Sequence, residues 1–125
     1  MKKILVGFDG SEYAKKALIE AIKIAKRFSA EVTVVNVYHV PTGEELSQRI
    51  LEKARVILEN GDVMFRLVSV LSTNTPKVIT DMAKHEKFDL VVVGSRGMGA
   101  VKAYLIGSVC DKICHDSPIS VLIVK

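Results

Sequence analysis

Leu90-Val91-Val92-Val93-Gly94-Ser95-Arg96-Gly97-Met98-Gly99 is the stretch from which the fold is read. Its first four residues are uncharged and mostly β-branched, the composition of a strand covered on both faces inside a parallel sheet. The chain then breaks. Gly94 to Gly99 packs three glycines into six residues, so the backbone there can take positive φ and approach a ligand with no Cβ in the way. After the nine residues Met98 to Ile106 comes Gly107-Ser108, and Ser108 is the expected cap of a helix running through Asp111, Ile113 and Cys114. The unpaired N–H groups and the positive dipole end at such a start suit a phosphate.

Counting separates the known phosphate motifs. A P-loop requires Lys and Ser/Thr directly after its last glycine, whereas Gly99 is followed by Ala100-Val101. A dinucleotide fingerprint opening at Gly97-Met98-Gly99 requires a glycine at position 102, where the chain has Lys102. What remains is GxxG, nine residues, then GS: Gly94, Gly97, Gly107, Ser108. This pattern resembles the nucleotide-binding signature of the universal stress protein family. Both ends of the chain extend the resemblance. Ile4-Leu5-Val6-Gly7-Phe8-Asp9-Gly10-Ser11 is similar to the family's first strand and its Asp, and Ser117 to Val124 to its last loop and strand.

Working outward, Lys3 to Phe8 is predicted as the first strand, with Ser11 capping a helix whose inner stripe is Ala14, Ala17, Leu18, Ala21, Ile22, Ala25 and Phe28. The lysines off that stripe read as a solvated face. Glu31 to Tyr38 is a second strand, followed by a turn-rich loop and a helix with apolar positions Leu46, Ile50, Ala54 and Ile57, closed by Asn60-Gly61 as a left-handed cap. Asp62 to Val70 is expected to be a border strand guarded by Arg66. Thr75 should cap a third helix with Pro76 in its first turn and Val78, Ile79, Met82 and Ala83 inside. Ile119 to Val124 forms the last strand. Strands alternating with helices imply right-handed crossovers and an α/β three-layer sandwich with a five-stranded parallel sheet.

A chain of 125 residues suits one domain spanning residues 1–125. At 49% hydrophobic and 26% charged residues it has ordinary globular composition. The apolar run at the N-terminus stops at Asp9 with no cleavage site, and no stretch is long enough to span a bilayer, which points to a cytoplasmic protein without a membrane partner. The net charge of +4 is scattered and not interleaved with aromatics, which argues against nucleic acid. Cys110 and Cys114, four apart on a helix, read as small core residues in a reducing compartment. His85 and His115 have no metal-ligand spacing, and His39, a lone histidine at the end of the second strand, reads as structural or solvent-facing.

The resemblance implies a Rossmann-like, adenine nucleotide alpha hydrolase-like sheet of order 3-2-1-4-5. Its crevice lies where the order switches, between strands one and four. It implies a site at Gly7, Asp9, Val37, Val93, Gly94, Arg96, Gly97, Gly107, Ser108 and Val109. In that site the Val37 backbone reads adenine, Asp9 faces the ribose or phosphates, and Gly94, Gly97, Gly107, Ser108 and Val109 hold the phosphates. Arg96 and Lys102 put positive charge where a triphosphate would sit. The ligand implied is ATP, with Mg2+ held by its phosphates. Asp9 retains a duller reading as a helix cap or lysine partner, and the loop glycines as turn formers.

Three functions follow for comparison. The first is a nucleotide-dependent regulatory or stress-response module, at most a slow ATPase, because Asp9 is the one obvious acidic candidate near the mouth. The second is an adenylyl-transferring enzyme, disfavoured because Phe8-Asp9-Gly10-Ser11 replaces the glycine-rich or His-containing motif such enzymes carry. The third is a nucleotide-independent dimeric interaction module. The last strand, Ile119 to Val124, carries no charge and would lie at the sheet border, so a homodimer through it is expected.

Overall fold

The structure, a computed structural model, describes residues 1–97 and 106–125; Met98, Gly99 and Lys102 lie outside the described residues. Along the chain run β1 (Lys3–Gly7), α1 (Glu12–Phe28), β2 (Glu31–Tyr38), a 3-10 turn at Pro41–Gly43 and α2 (Glu44–Gly61). They are followed by β3 (Phe65–Leu71), α3 (Thr75–His85), β4 (Leu90–Gly94), α4 (Ser108–Asp116) and β5 (Val121–Val124). The strands form one sheet of order β3-β2-β1-β4-β5, and every neighbouring pair is parallel. The expected order is thus observed, with its switch between β1 and β4.

Alternation along each strand divides the core in two. Ile4, Val6, Val32, Val34 and Val92 pack with α1 and α2 on one face. Leu5, Val35, Val91 and Val93 pack with α3 and α4 on the other. A period-2 strand that buries both of its faces needs no polar partner set, which is why β4 reads as an unbroken apolar run.

Several expectations need correction. The left-handed residue closing α2 is Asp62 (φ 55°), not Gly61. Gly61 is required for a different reason: a Cβ there would lie 2.7 Å from Ile22 Cγ2, so it is the point where α2 touches α1. Asp62 therefore belongs to the helix end, and β3 starts at Phe65. The buried stripe of α2 is Ser47, Leu51, Ala54 and Leu58; of the expected positions Ala54 is buried, Ile50 and Ile57 flank the stripe and pack partly buried against the core, and Leu46 is 59% exposed. Phe28, at the last turn of α1, is 58% exposed. Asn74 caps α3, its side chain accepting from the Lys77 N–H at 3.1 Å, and Thr75 is the first helical residue. β5 begins at Val121, because the Ser117 hydroxyl bonds both the C=O (2.8 Å) and the N–H (3.2 Å) of Ile119 and holds that segment in a turn. Arg66 on border strand β3 pairs with Glu31 (3.6 Å) and Glu86 (3.1 Å).

Candidate functional site

β1 and β4 send the chain to opposite faces of the sheet, β1 into α1 and β4 toward α4, and between their carboxyl ends a cavity of about 660 Å³ opens. That volume is in the range of small-molecule sites. Gly7, Asp9, Val37, Val93, Gly94, Arg96, Gly97, Gly107, Ser108 and Val109 all line it. The structure therefore brings together every residue to which the resemblance pointed. Phe8, Asn36, His39, Thr75, Ile79 and Ile113 also line it and were not anticipated. Ile79 and Ile113 lie on the same apolar stripes that build the core, so nothing in the sequence marks them out as cavity residues.

The glycines show how closely the walls approach. A Cβ on Gly97 would stand 2.6 Å from Asp9 Oδ2, and one on Gly107 would stand 3.3 Å from Arg96 Cα. Gly107 also donates its N–H to the Ser95 C=O at 2.7 Å, tying the start of α4 to the end of β4. Gly94 answers to packing: its Cβ would collide with the Tyr13 backbone at 2.7 Å, so glycine there lets α1 lie against β4. The Asp9 carboxylate divides its work. Oδ1 accepts the Ser11 N–H at 2.9 Å, bracing the turn into α1, while Oδ2 faces the glycine loop. The Arg96 guanidinium lies over the Tyr13 ring, 4.2 Å from its centre.

The start of α4 departs from expectation. Gly107, with extended backbone (φ −67°, ψ 155°), is the capping residue, and Ser108 is the first helical residue. The first bond inside the helix runs from the Asp111 N–H to the Gly107 C=O at 2.9 Å. The N–H groups of Ser108, Val109 and Cys110 thus precede it at the cavity wall, and the capping position brings no side chain to them. Of the two cysteines, Cys110 is buried and Cys114 is exposed, so only one is a core residue. Burial pushes the Cys110 thiol up to about 12, and the neighbouring Cys114 adds to the rise.

The opposite wall is backbone. In β2, Val32 donates to Met64 on the β3 side and Val35 accepts from Phe8 on the β1 side. Since directions alternate along a strand, the N–H and C=O of Val37 point to the β1 side. β1 has ended by then: Phe8 makes the last rung, its N–H donating to the Val35 C=O at 2.9 Å. Val37 therefore presents one donor and one acceptor toward the cavity. Beside it, Asn36 Nδ2 donates to the Phe8 C=O at 2.8 Å. His39 Nδ1 contacts the Ser72 C=O at 2.7 Å, a structural contact at the mouth's rim.

Among the described residues no group of three or more His, Cys, Asp or Glu side chains is placed to hold a metal ion. No described helix is long and apolar enough to cross a membrane.

Comparison with known proteins gives a consistent picture. The family model described as the universal stress protein family matches residues 1–125. A universal stress protein from Thermus aquaticus is 32% identical over 99% of this chain and 98% of its own length. A putative universal stress protein from Staphylococcus saprophyticus is 31% identical over 99% of this chain and 83% of its own. A universal stress protein solved in complex with cAMP superposes with a TM-score of 0.82 at 27% identity, covering 98% of this chain and 95% of that one. The Archaeoglobus fulgidus protein in complex with dAMP reaches 0.84 at 20% identity, covering 100% and 98%, a likeness of fold.

Proposed function

The chain belongs to the universal stress protein family, and from that premise we propose that it binds an adenine nucleotide, ATP with Mg2+ carried on its phosphates, as a nucleotide-dependent regulatory or stress-response module. The observation that carries this reading is the pairing of two complementary walls across one cavity. On one side Val37 offers a backbone donor and acceptor, the match for an adenine edge that presents a ring acceptor beside an exocyclic amino donor. On the other, the N–H groups at the start of α4 offer the positive end of a helix to phosphate oxygens. Gly97 and Gly107 keep the intervening space clear of Cβ atoms. A relative of this fold at 27% identity was solved with cAMP, which supports the nucleotide class; the triphosphate is the finer part of the proposal.

Thermal stability with and without Mg-ATP and AMP tests it. A nucleotide at about a hundred times its dissociation constant adds about 2.7 kcal/mol. No shift at millimolar nucleotide, with none retained on purification, would favour a nucleotide-independent interaction module instead. The proposal extends to a homodimer through β5, the border strand whose residues Val121–Val124 are all partly exposed. Leu122→Lys should yield a monomer by light scattering; a dimer that persists moves the interface elsewhere.

A further inference from the structure

The geometry points to Asn36 as the residue that keeps the Val37 backbone available for a ligand, with Ser47 of α2 as the hydroxyl that anchors the other end of the Asn36 amide. This rests on the nucleotide reading above and specifies how its base-reading wall is held open.

In a parallel pair the rung after Phe8 N–H to Val35 C=O would be Val37 N–H to Phe8 C=O. That rung is replaced. The Phe8 carbonyl accepts from the Asn36 side chain at 2.8 Å, so the acceptor that would take up the Val37 N–H is already engaged. β1 is thereby ended by a side chain one residue before Val37, and the peptide edge of Val37 faces the cavity.

An amide can do this only with its nitrogen toward Phe8. The Ser47 hydroxyl lies 2.7 Å from Asn36 Oδ1 and 2.6 Å from the Ser69 hydroxyl. Ser47 has one hydroxyl hydrogen. If it donates to Asn36 Oδ1, Ser69 must donate to Ser47. The chain of donors then runs in one direction, from Ser69 on β3 through Ser47 and Asn36 to the Phe8 carbonyl. Rotating the amide would set Oδ1 against that carbonyl, two acceptors face to face, whereas the Ser47 hydroxyl could accept from Nδ2 as readily as it donates to Oδ1, so it is the Phe8 carbonyl that fixes the amide's orientation. Asn36 and Ser47 are both buried, at 5% and 1% exposure, so water does not compete for these bonds. This also accounts for a serine on the inner stripe of α2, where an apolar residue is the norm.

Asn36→Leu, which keeps the branched shape and the number of side-chain heavy atoms but has no polar group, tests the proposal, because it frees the Phe8 carbonyl to form the ordinary rung with Val37 and so retains a satisfied sheet. Two measurements on the intact chain follow. In the nucleotide-free protein, hydrogen exchange of the Val37 amide should slow by about tenfold or more in the variant, as expected for an amide that gains a backbone acceptor. In binding, the wild type should prefer ATP over 1-deaza-ATP, which lacks the ring acceptor, by about tenfold, and Asn36→Leu should reduce that preference toward unity. Ser47→Ala should move both quantities in the same direction by a smaller factor. If Asn36→Leu leaves Val37 exchange and the ATP to 1-deaza-ATP ratio at wild-type values, the inference is wrong while the nucleotide reading stands. If the wild type binds neither compound, the nucleotide reading fails and this inference with it.

Discussion

Two helices begin at the same end of the sheet, and they begin differently. α1 is closed by its own chain: the Ser11 hydroxyl accepts the Ala14 N–H at 3.1 Å, and Asp9 accepts the Ser11 N–H just ahead of it. α4 begins at Gly107, a capping residue that brings no side chain of its own to the first N–H groups, at the wall of the cavity. A capped start spends its dipole inside the fold, whereas an open start leaves it for whatever enters. The same end of one sheet thus carries one helix start given to stability and one kept for an anion.

The strongest challenge to that contrast comes from the glycines. Gly94→Val should destabilise the fold by about 3 kcal/mol or more in chemical denaturation, because the clash is with the Tyr13 backbone and neither strand nor helix can yield. Gly107→Val meets Arg96 Cα at 3.3 Å. It should cost about 1 kcal/mol of stability and lower nucleotide affinity by at least about tenfold, one lost phosphate hydrogen bond or more. Triphosphate affinity left intact by Gly107→Val would mean that α4 is not the anion wall.

The two serines sharpen the contrast at smaller scale. Ser11→Ala should cost about 1 kcal/mol of stability with nucleotide affinity unchanged. Ser108→Ala should leave stability within about 0.5 kcal/mol and weaken nucleotide binding severalfold by calorimetry. Equal effects of both on stability would erase the distinction between the two helix starts.

The smallest effect lies at the opposite end of the sheet, where the Asp89 carboxylate accepts the N–H groups of Lys2 (2.7 Å) and Lys3 (2.9 Å). Those two bonds lower its pKa below the ordinary 3.8. A carboxyl lowered on folding stabilises the fold above its unfolded pKa, and that contribution is lost as pH falls through the folded value. Asp89→Asn should therefore be less stable than wild type at neutral pH, by under about 1 kcal/mol because the group is exposed, with the gap closing below pH about 3.8. A gap that persisted at low pH would show that the charge is not what matters there.

Much of this was legible in the sequence, and the exceptions have physical reasons. Ser11 and Asp9 could be placed because a cap and its turn are local, and β4 because burial on both faces leaves an unbroken apolar run. Ser108 was misplaced by one position because serine is the commoner cap, and the 2.7 Å bond that draws Gly107 to Ser95 spans twelve residues of chain that periodicity cannot see. The α2 stripe was read from Leu46 instead of Ser47 because apolar periodicity gives no weight to a buried hydroxyl. Asn36 was missed for the same reason: its importance lies in the carbonyl of Phe8, a residue twenty-eight positions away.

Cys110 and Cys114 differ in a way that has practical use. One thiol is enclosed and held protonated at any ordinary pH, while the other stands in solvent on the same short helix. A maleimide dye should therefore attach once, to the natural sequence, one turn beyond the cavity wall. Its emission would report directly on whether α4 shifts when the mouth fills.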